Sequence, residues 1–429
     1  ADEMIVTAPL RRMARLEALL ATSACLVLPA LLLLLLPPAR RALHRLRARP
    51  AARVRLWGPR LPGAHKWLGG ALDARHTAIL GVPSNAEHVI RLDLRTGDTT
   101  LLPGPKMVGR YKWLRGVRAE DGTVFCIPAC ADGVLRISAE GDVAIIGAGK
   151  LPKGEWMWHG GQLGRDGMIY AIPANADRVL RIDPSRNEVA LIGPVLHHGV
   201  RSKWYGGITA NDGSIWGMPY NAPSALKITP PASAGVAEAQ IVEVGEFPLG
   251  GWKWHGGTRS GEYVIGIPSH ASAVLRIHAE TNQVALLGAE LEVMQGKYKW
   301  GGATTDHNGI VWAIPSDADV PLRIVPSTGE VGVVANGVIA SAIGPEWKNK
   351  WQGGVLGADG DVYCIPCDAQ QVLAIHTESG TVSLLGNLPA GKKKFQGGAL
   401  APDGTIWGLP ESCEHILRIT PPLRKRTHN

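Results

Sequence analysis

Eight copies of one short anchor constrain this chain more than any other feature. "KWLGG" at Lys66, "KWLRG" at Lys112, "MWHGG" at Met157, "KWYGG" at Lys203, "KWHGG" at Lys253, "KWGG" at Lys299, "KWQGG" at Lys350 and "KFQGG" at Lys394 recur along it. The anchoring aromatics are Trp67, Trp113, Trp158, Trp204, Trp254, Trp300, Trp351 and Phe395, spaced by 46, 45, 46, 50, 46, 51 and 44 residues. A repeat of this size is one supersecondary unit that must stack on its neighbours to bury its apolar face. The period matches a four-stranded propeller blade, exceeds a leucine-rich unit, and lacks the 3.6-residue periodicity of helical repeats.

Copy three shows the internal grammar: "WHGGQLG", the turn Arg165-Asp166-Gly167, "MIYAIP", "ANAD", "RVLRID", "PSRN" and "EVALIG". These are four short β-rich runs joined by turns. Asp-Gly, a hairpin signal, recurs at Asp121, Asp166, Asp212, Asp359 and Asp403. The third connection carries Gly97, Gly141, Asn187, Asn282, Gly329 and Gly380, which predicts a left-handed backbone there. Fifty-three Gly and 31 Pro agree with many short strands and turns.

The two ends explain each other. Copy eight stops after "ILRITPP" without a fourth strand, whereas "VRLWG" at Val54–Gly58 precedes copy one and matches the missing piece. The expected fold is all-β: an eight-bladed β-propeller of four-stranded blades over 53–422, its ring closed by the N-terminal strand so that no sheet edge is left open.

The "DGxIY…P…VLRIDPxTG" pattern of these copies resembles the broad group of NHL-repeat, gluconolactonase-like and streptogramin-lyase-like propellers, over nearly all the chain after residue 53. The resemblance is specific for architecture and implies no single activity. It would allow a channel-centred lactonase or lyase with one divalent metal ion. Gluconolactonase-like sites need a carboxylate-rich set, and His270, Asp317 and Asp368 are the metal candidates that the comparison offers.

Before the repeats, residues 1–17 form a leader and 18–36 read "ALLATSACLVLPALLLLLL", an uncharged run long enough for a transmembrane helix. Residues 37–52 are a basic linker and 423–429 a basic tail. Arg40, Arg41, Arg45, Arg47, Arg49, Arg53 and Arg55 follow the apolar run, against Arg11, Arg12 and Arg15 before it, which places the propeller on the cytoplasmic side of a single-pass membrane protein. An apolar run followed by an Arg-rich, acid-free segment also fits a two-part organelle-targeting leader. Much of the formal charge of +8 sits here, so it speaks for membrane or targeting logic and against a nucleic-acid partner. The six cysteines show no disulfide framework, and Cys364-Ile-Pro-Cys367 and Cys126-Ile-Pro-Ala-Cys130 fall inside the repeated unit as small buried or turn residues.

Two sets of variable residues stand where a propeller opens onto its channel. Two positions after the proline of each copy lie Asn85, Cys130, Asn175, Asn221, His270, Asp317, Asp368 and Ser412. They read either as a polar binding ring at the channel mouth or as side chains that hydrogen-bond the backbone of turns. Between aromatic and glycines lie Leu68, Leu114, His159, Tyr205, His255, Gln352 and Gln396, and copy six, "KWGG", reads as a residue short. His159 and His255 join the candidate binding residues, although non-adjacent blades carry them. The anchor lysines read either as an exposed positive collar or as stems lying over tryptophan faces. Strand-three arginines (Arg91, Arg136, Arg181, Arg276, Arg323, Arg418) are expected to bind carboxylates or carbonyls between blades.

No nucleophile elbow, phosphate loop or zinc-helix motif occurs. The reading that follows is a membrane-tethered, non-catalytic protein-interaction scaffold whose disk face docks a protein partner, with no cofactor. The alternatives are a metal-dependent lactonase- or lyase-like enzyme at the channel mouth and a carbohydrate-binding propeller using tryptophan platforms.

Overall fold

The turn residues of each repeat set the strand ends. In a computed structural model describing residues 51–422, except 234, 236, 335, 336 and 345, the Asp-Gly turns close the first hairpin of their blades. The aspartate accepts a hydrogen bond from the backbone N–H two residues on, as Asp121 does from Thr123 and Asp403 from Thr405. Gly122, Gly167, Gly213, Gly360 and Gly404 lie at φ between 79° and 87°. The third connections are left-handed as expected, from Asn187 at 55° to Gly141 at 100°.

The strands assemble into eight four-stranded antiparallel sheets. Seven take their strands in chain order; blade three is Trp158–Leu163, Ile169–Pro173, Val179–Asp183 and Glu188–Ile192. In the eighth, Arg53–Trp57 pairs antiparallel with Ile416–Thr420 and supplies the missing outer strand. Residues 52–422 belong to one compact unit. The expected leader 1–17, transmembrane run 18–36, most of the linker 37–52 and the tail 423–429 lie outside the described residues; among those described, no helix is long and apolar enough to cross a membrane.

Burial follows position in the blade. The second strands, such as Ile169–Pro173 and Val362–Pro366, are buried, the third are buried at most positions, and the fourth are half-buried to exposed. Covering the second strand on both faces stabilises by roughly 1.5–3 kcal/mol per large aliphatic side chain. The cores lie between blades: Phe125 and Ile127 of blade two pack with Trp158 and Ile169 of blade three. Trp407, Leu409 and Ile416 of the last blade pack likewise with Trp67, Ile79 and Ile90 of the first.

The Gly-Gly pair is a β-bulge. Between Trp158 and Gly161 the pairing with Ile169–Pro173 shifts register, and the same break recurs in the other full-length first strands. The bulge residue takes positive φ, for example Gly160 at 81° and Gly353 at 72°, which glycine adopts without a Cβ penalty. The second position allows close approach: a Cβ on Gly161 would stand 2.8 Å from the Tyr170 carbonyl oxygen. Copy six is not a residue short. Trp300 pairs with Pro315 and Ala303 with Ala313, as Trp158 does with Pro173 and Gly161 with Ala171, so Gly301 fills the variable slot, Gly302 the bulge and Ala303 the packed position.

Candidate functional site

The first strands of all eight blades surround one central cavity of about 580 Å³. Each enters through the same joint. The residue two before the anchoring aromatic is left-handed in every copy: His65, Tyr111, Trp156, Ser202, Trp252, Tyr298, Asn349 and Lys393, with φ between 48° and 52°. The next residue's N–H bonds a carbonyl in the turn of the preceding blade, as Lys203 to Ala174 at 3.0 Å, and its own carbonyl accepts from the turn of its own blade, as from Tyr220 at 2.9 Å. One backbone residue thus fastens two blades.

The ring residues of the channel mouth reinforce this joint. Asn85 Oδ1 accepts from the N–H of Tyr111, Asn175 from Ser202, Asn221 from Trp252, Asp317 from Asn349 and Asp368 from Lys393, at 2.7 to 3.0 Å. Ser412 Oγ accepts from His65 N–H at 3.2 Å. The Cys130 thiol faces the Trp156 backbone, and burial pushes its pKa up. Each of these side chains holds the strained entry residue of the next blade, a turn-capping role carried across the blade boundary. His270 departs from the pattern: its Nε2 is buried without a partner, and its ring lies between Trp252 and Tyr298, with centroids at 5.6 and 4.4 Å.

The lysines form no exposed collar. Lys66, Lys112, Lys203, Lys253, Lys299, Lys350 and Lys394 are all buried. Their ammonium groups donate to carbonyls, Lys299 to Ser269, Ala271 and Gly296 at 2.9 to 3.1 Å, and Lys350 also to the Asp319 carboxylate at 3.2 Å. Burial pulls Lys112, Lys203, Lys253 and Lys299 down to about 8. Lys66, Lys112 and Lys299 also stand 5.8 to 5.9 Å over the adjacent tryptophan, as the second reading of the stems expects. The anchor tryptophans are buried and spend their indole N–H on a carbonyl about one hairpin later, as Trp158 on Arg178 at 3.0 Å. They expose no face for a sugar. The strand-three cations are mixed: Arg323 meets Glu330, Arg276 donates to Pro326 of the next blade, and Arg418 stacks on Trp57 and Trp407.

Inside the cavity, Tyr205 brings His159 and His255 into one group, its ring centroid 3.9 Å from the first and 5.1 Å from the second. Burial, and after it the charge of Arg115, lowers both imidazoles, His255 to about 4, so both are neutral at pH 7. From Tyr205 the aromatic contacts continue outward through Tyr220, Trp252 and His270 to Tyr298. A second arc joins His65, Tyr111 and Trp156 at centroid distances of 5.3 and 5.1 Å. Arg115 was not singled out by its residue type; the signal lay in "KWLRG", an arginine in a slot that is otherwise glycine.

The residues do not fit the divalent metal that the family resemblance would allow. Asp317 and Asp368 bond backbone N–H groups, and among the described residues no three His, Cys, Asp or Glu converge on a metal position. The cysteine pairs are likewise unsuited to redox or metal work, since Cys126 and Cys364 are fully buried and burial raises Cys367 to about 12.

No family model and no curated protein matches the chain. Solved structures do: a streptogramin B lyase is 14% identical with TM-score 0.54, over 87% of this chain and 99% of that one. A virginiamycin B lyase from Staphylococcus aureus is 15% identical with TM-score 0.54, over 86% and 99%. The WD40 repeats of RRP9 are 9% identical with TM-score 0.50, over 87% and 100%. Identities this low establish a shared propeller fold, resembling streptogramin-lyase-like proteins, and carry no activity.

Proposed function

We propose that this chain is a membrane-tethered, non-catalytic binding propeller that docks a protein partner on its channel-mouth face. The observation that carries this reading is the aromatic rim. Trp252 and Tyr298 are 43% and 41% exposed, although both occupy left-handed backbone positions. The Asn221 carboxamide holds the Trp252 backbone, so its indole is presented on a fixed support. Large, rigid aromatic side chains lose little conformational entropy on binding and are the usual anchors of protein interfaces.

The repeated polar residues favour a scaffold, because most of them are committed to holding blades together. In this reading the segment 18–36 supplies the tether, and the ring closed by Arg53–Trp57 supplies the rigid disk. The test is photo-crosslinking in native membranes, with a photoreactive side chain at 252 or 298 and, as control, at Leu191 or Leu286 on the outer strands. A partner captured from the mouth positions alone is the expected result.

A further inference from the structure

Arg115 is the one residue in the central cavity that the scaffold does not explain. Seven blades place a glycine at the first-strand bulge: Gly69, Gly160, Gly206, Gly256, Gly302, Gly353 and Gly397, at φ between 70° and 104°. Blade two places Arg115 there, at φ 61°, a conformation that costs any residue with a Cβ backbone strain. The other seven positions share a positive φ, which glycine meets without strain, so the exchange at Arg115 runs against the backbone.

The side chain lies across the inner strands of three blades. Its Cγ is 3.6 Å from where a Cβ on Gly69 would stand, and its Cδ 3.8 Å from that of Gly160. Arg115 is surrounded by the protein but touches the water inside the channel. No ion pair or hydrogen bond to its guanidinium is found among the described residues, and no Asp or Glu lines the cavity. The other lining arginine, Arg118, is occupied by the Asp73 carbonyl at 2.9 Å.

The groups near this cation are polar and neutral. His159 keeps a buried Nδ1 without a partner. Tyr205 and His255 continue the wall, and Gln352 and Gln396 face the same space. A guanidinium without a counter-ion, open to the channel and beside a buried imidazole nitrogen without a partner, is what an oxyanion needs: a two-pronged donor with neutral hydrogen-bonding neighbours. The aromatic contacts leading outward from Tyr205 suit an organic body attached to that anion.

We infer that the central channel binds a small organic oxyanion, a carboxylate or a phosphate ester, with Arg115 as its fork and His159 and Tyr205 as its wall. This site is independent of protein docking at the mouth.

Isothermal titration calorimetry on the full chain, at fixed chloride concentration, tests the inference with benzoate, inorganic phosphate and neutral benzamide. Saturable one-to-one binding of benzoate or phosphate, with benzamide at least tenfold weaker, is expected; whichever anion binds more tightly identifies the class. Arg115→Gly is expected to lose at least tenfold in affinity while its melting temperature is kept or raised, because it restores the glycine that positive φ favours. Arg115→Lys keeps the charge without the fork and is expected to fall between the two. The inference is overturned if neither anion binds, if Arg115→Gly binds as tightly as the parent, or if benzamide matches benzoate. Mouth crosslinking unchanged by Arg115→Gly is expected, so the two proposals fail separately.

Discussion

At the scale of single residues, the lysine before seven of the eight anchoring aromatics is a buried cation whose backbone is fastened to the blade before it. Lysine suggests a surface, and only its recurrence in seven copies signals a structural post; its carbonyl partners come from turns that sequence does not place together. Met157 shows that an apolar chain can fill the space in blade three, where the backbone joint to Ala129 and Ala174 is kept. Lys299→Met should nevertheless strand the carbonyls of Ser269, Ala271 and Gly296. With ~1–3 kcal/mol for a buried group left unpaired, and some relief from water, the expected loss is ~2–4 kcal/mol. Urea unfolding measures it, and an unchanged midpoint and slope would refute the role. His159 and His255 make a different contribution. Both are held below 6.5, so the folded chain binds fewer protons than the unfolded chain as acid is added. Their stabilisation is complete above about pH 6.5 and is lost as pH falls through that value toward about 4. Unfolding free energies measured from pH 7 to 4 should decline less steeply for the His159→Gln, His255→Gln double variant; parallel declines would show that the imidazoles are not buried as described.

At the scale of elements, strands and turns were legible because each repeat checks the others: Asp-Gly, the left-handed third connection and the valine- and isoleucine-rich runs recur at fixed offsets. The exceptions lie where one copy has no sibling. The helix Val338–Ile343 belongs to the long spacing of copy six, and no other blade gives it a template. The slipped glycines of that copy looked like a deletion because the pattern was aligned on Gly-Gly, whereas strand pairing is set by Trp300 and Pro315. The strand Arg53–Trp57 was legible from the missing fourth strand of copy eight. Its removal should leave Ile416–Thr420 as an open edge and uncover the part of the core against which Val54 and Leu56 pack. Chains beginning at residue 51 and at residue 58 should therefore differ in melting temperature by several degrees, with the shorter one associating in light scattering. Equal melting and a monomeric short form would contradict the pairing.

At the scale of the whole molecule, regularity made the fold legible and hid the site. Most ring residues, which the sequence reads either as a binding set or as turn caps, bond the backbone of the next blade, while the channel cation sits in a slot read as part of the anchor. What distinguishes this propeller is the departures: Arg115 in the channel, His270 with its Nε2 unpartnered, and the aromatic arcs at the mouth. The central claim is that the mouth face is the docking surface, and affinity of the crosslinked partner for surface variants tests it most directly. Trp252→Ala with Tyr298→Ala should weaken binding at least tenfold, as loss of central aromatic anchors does, while Leu191→Ala with Leu286→Ala on the outer strands should leave it unchanged. Binding that survives the mouth substitutions and fails on the outer-strand ones would contradict the account.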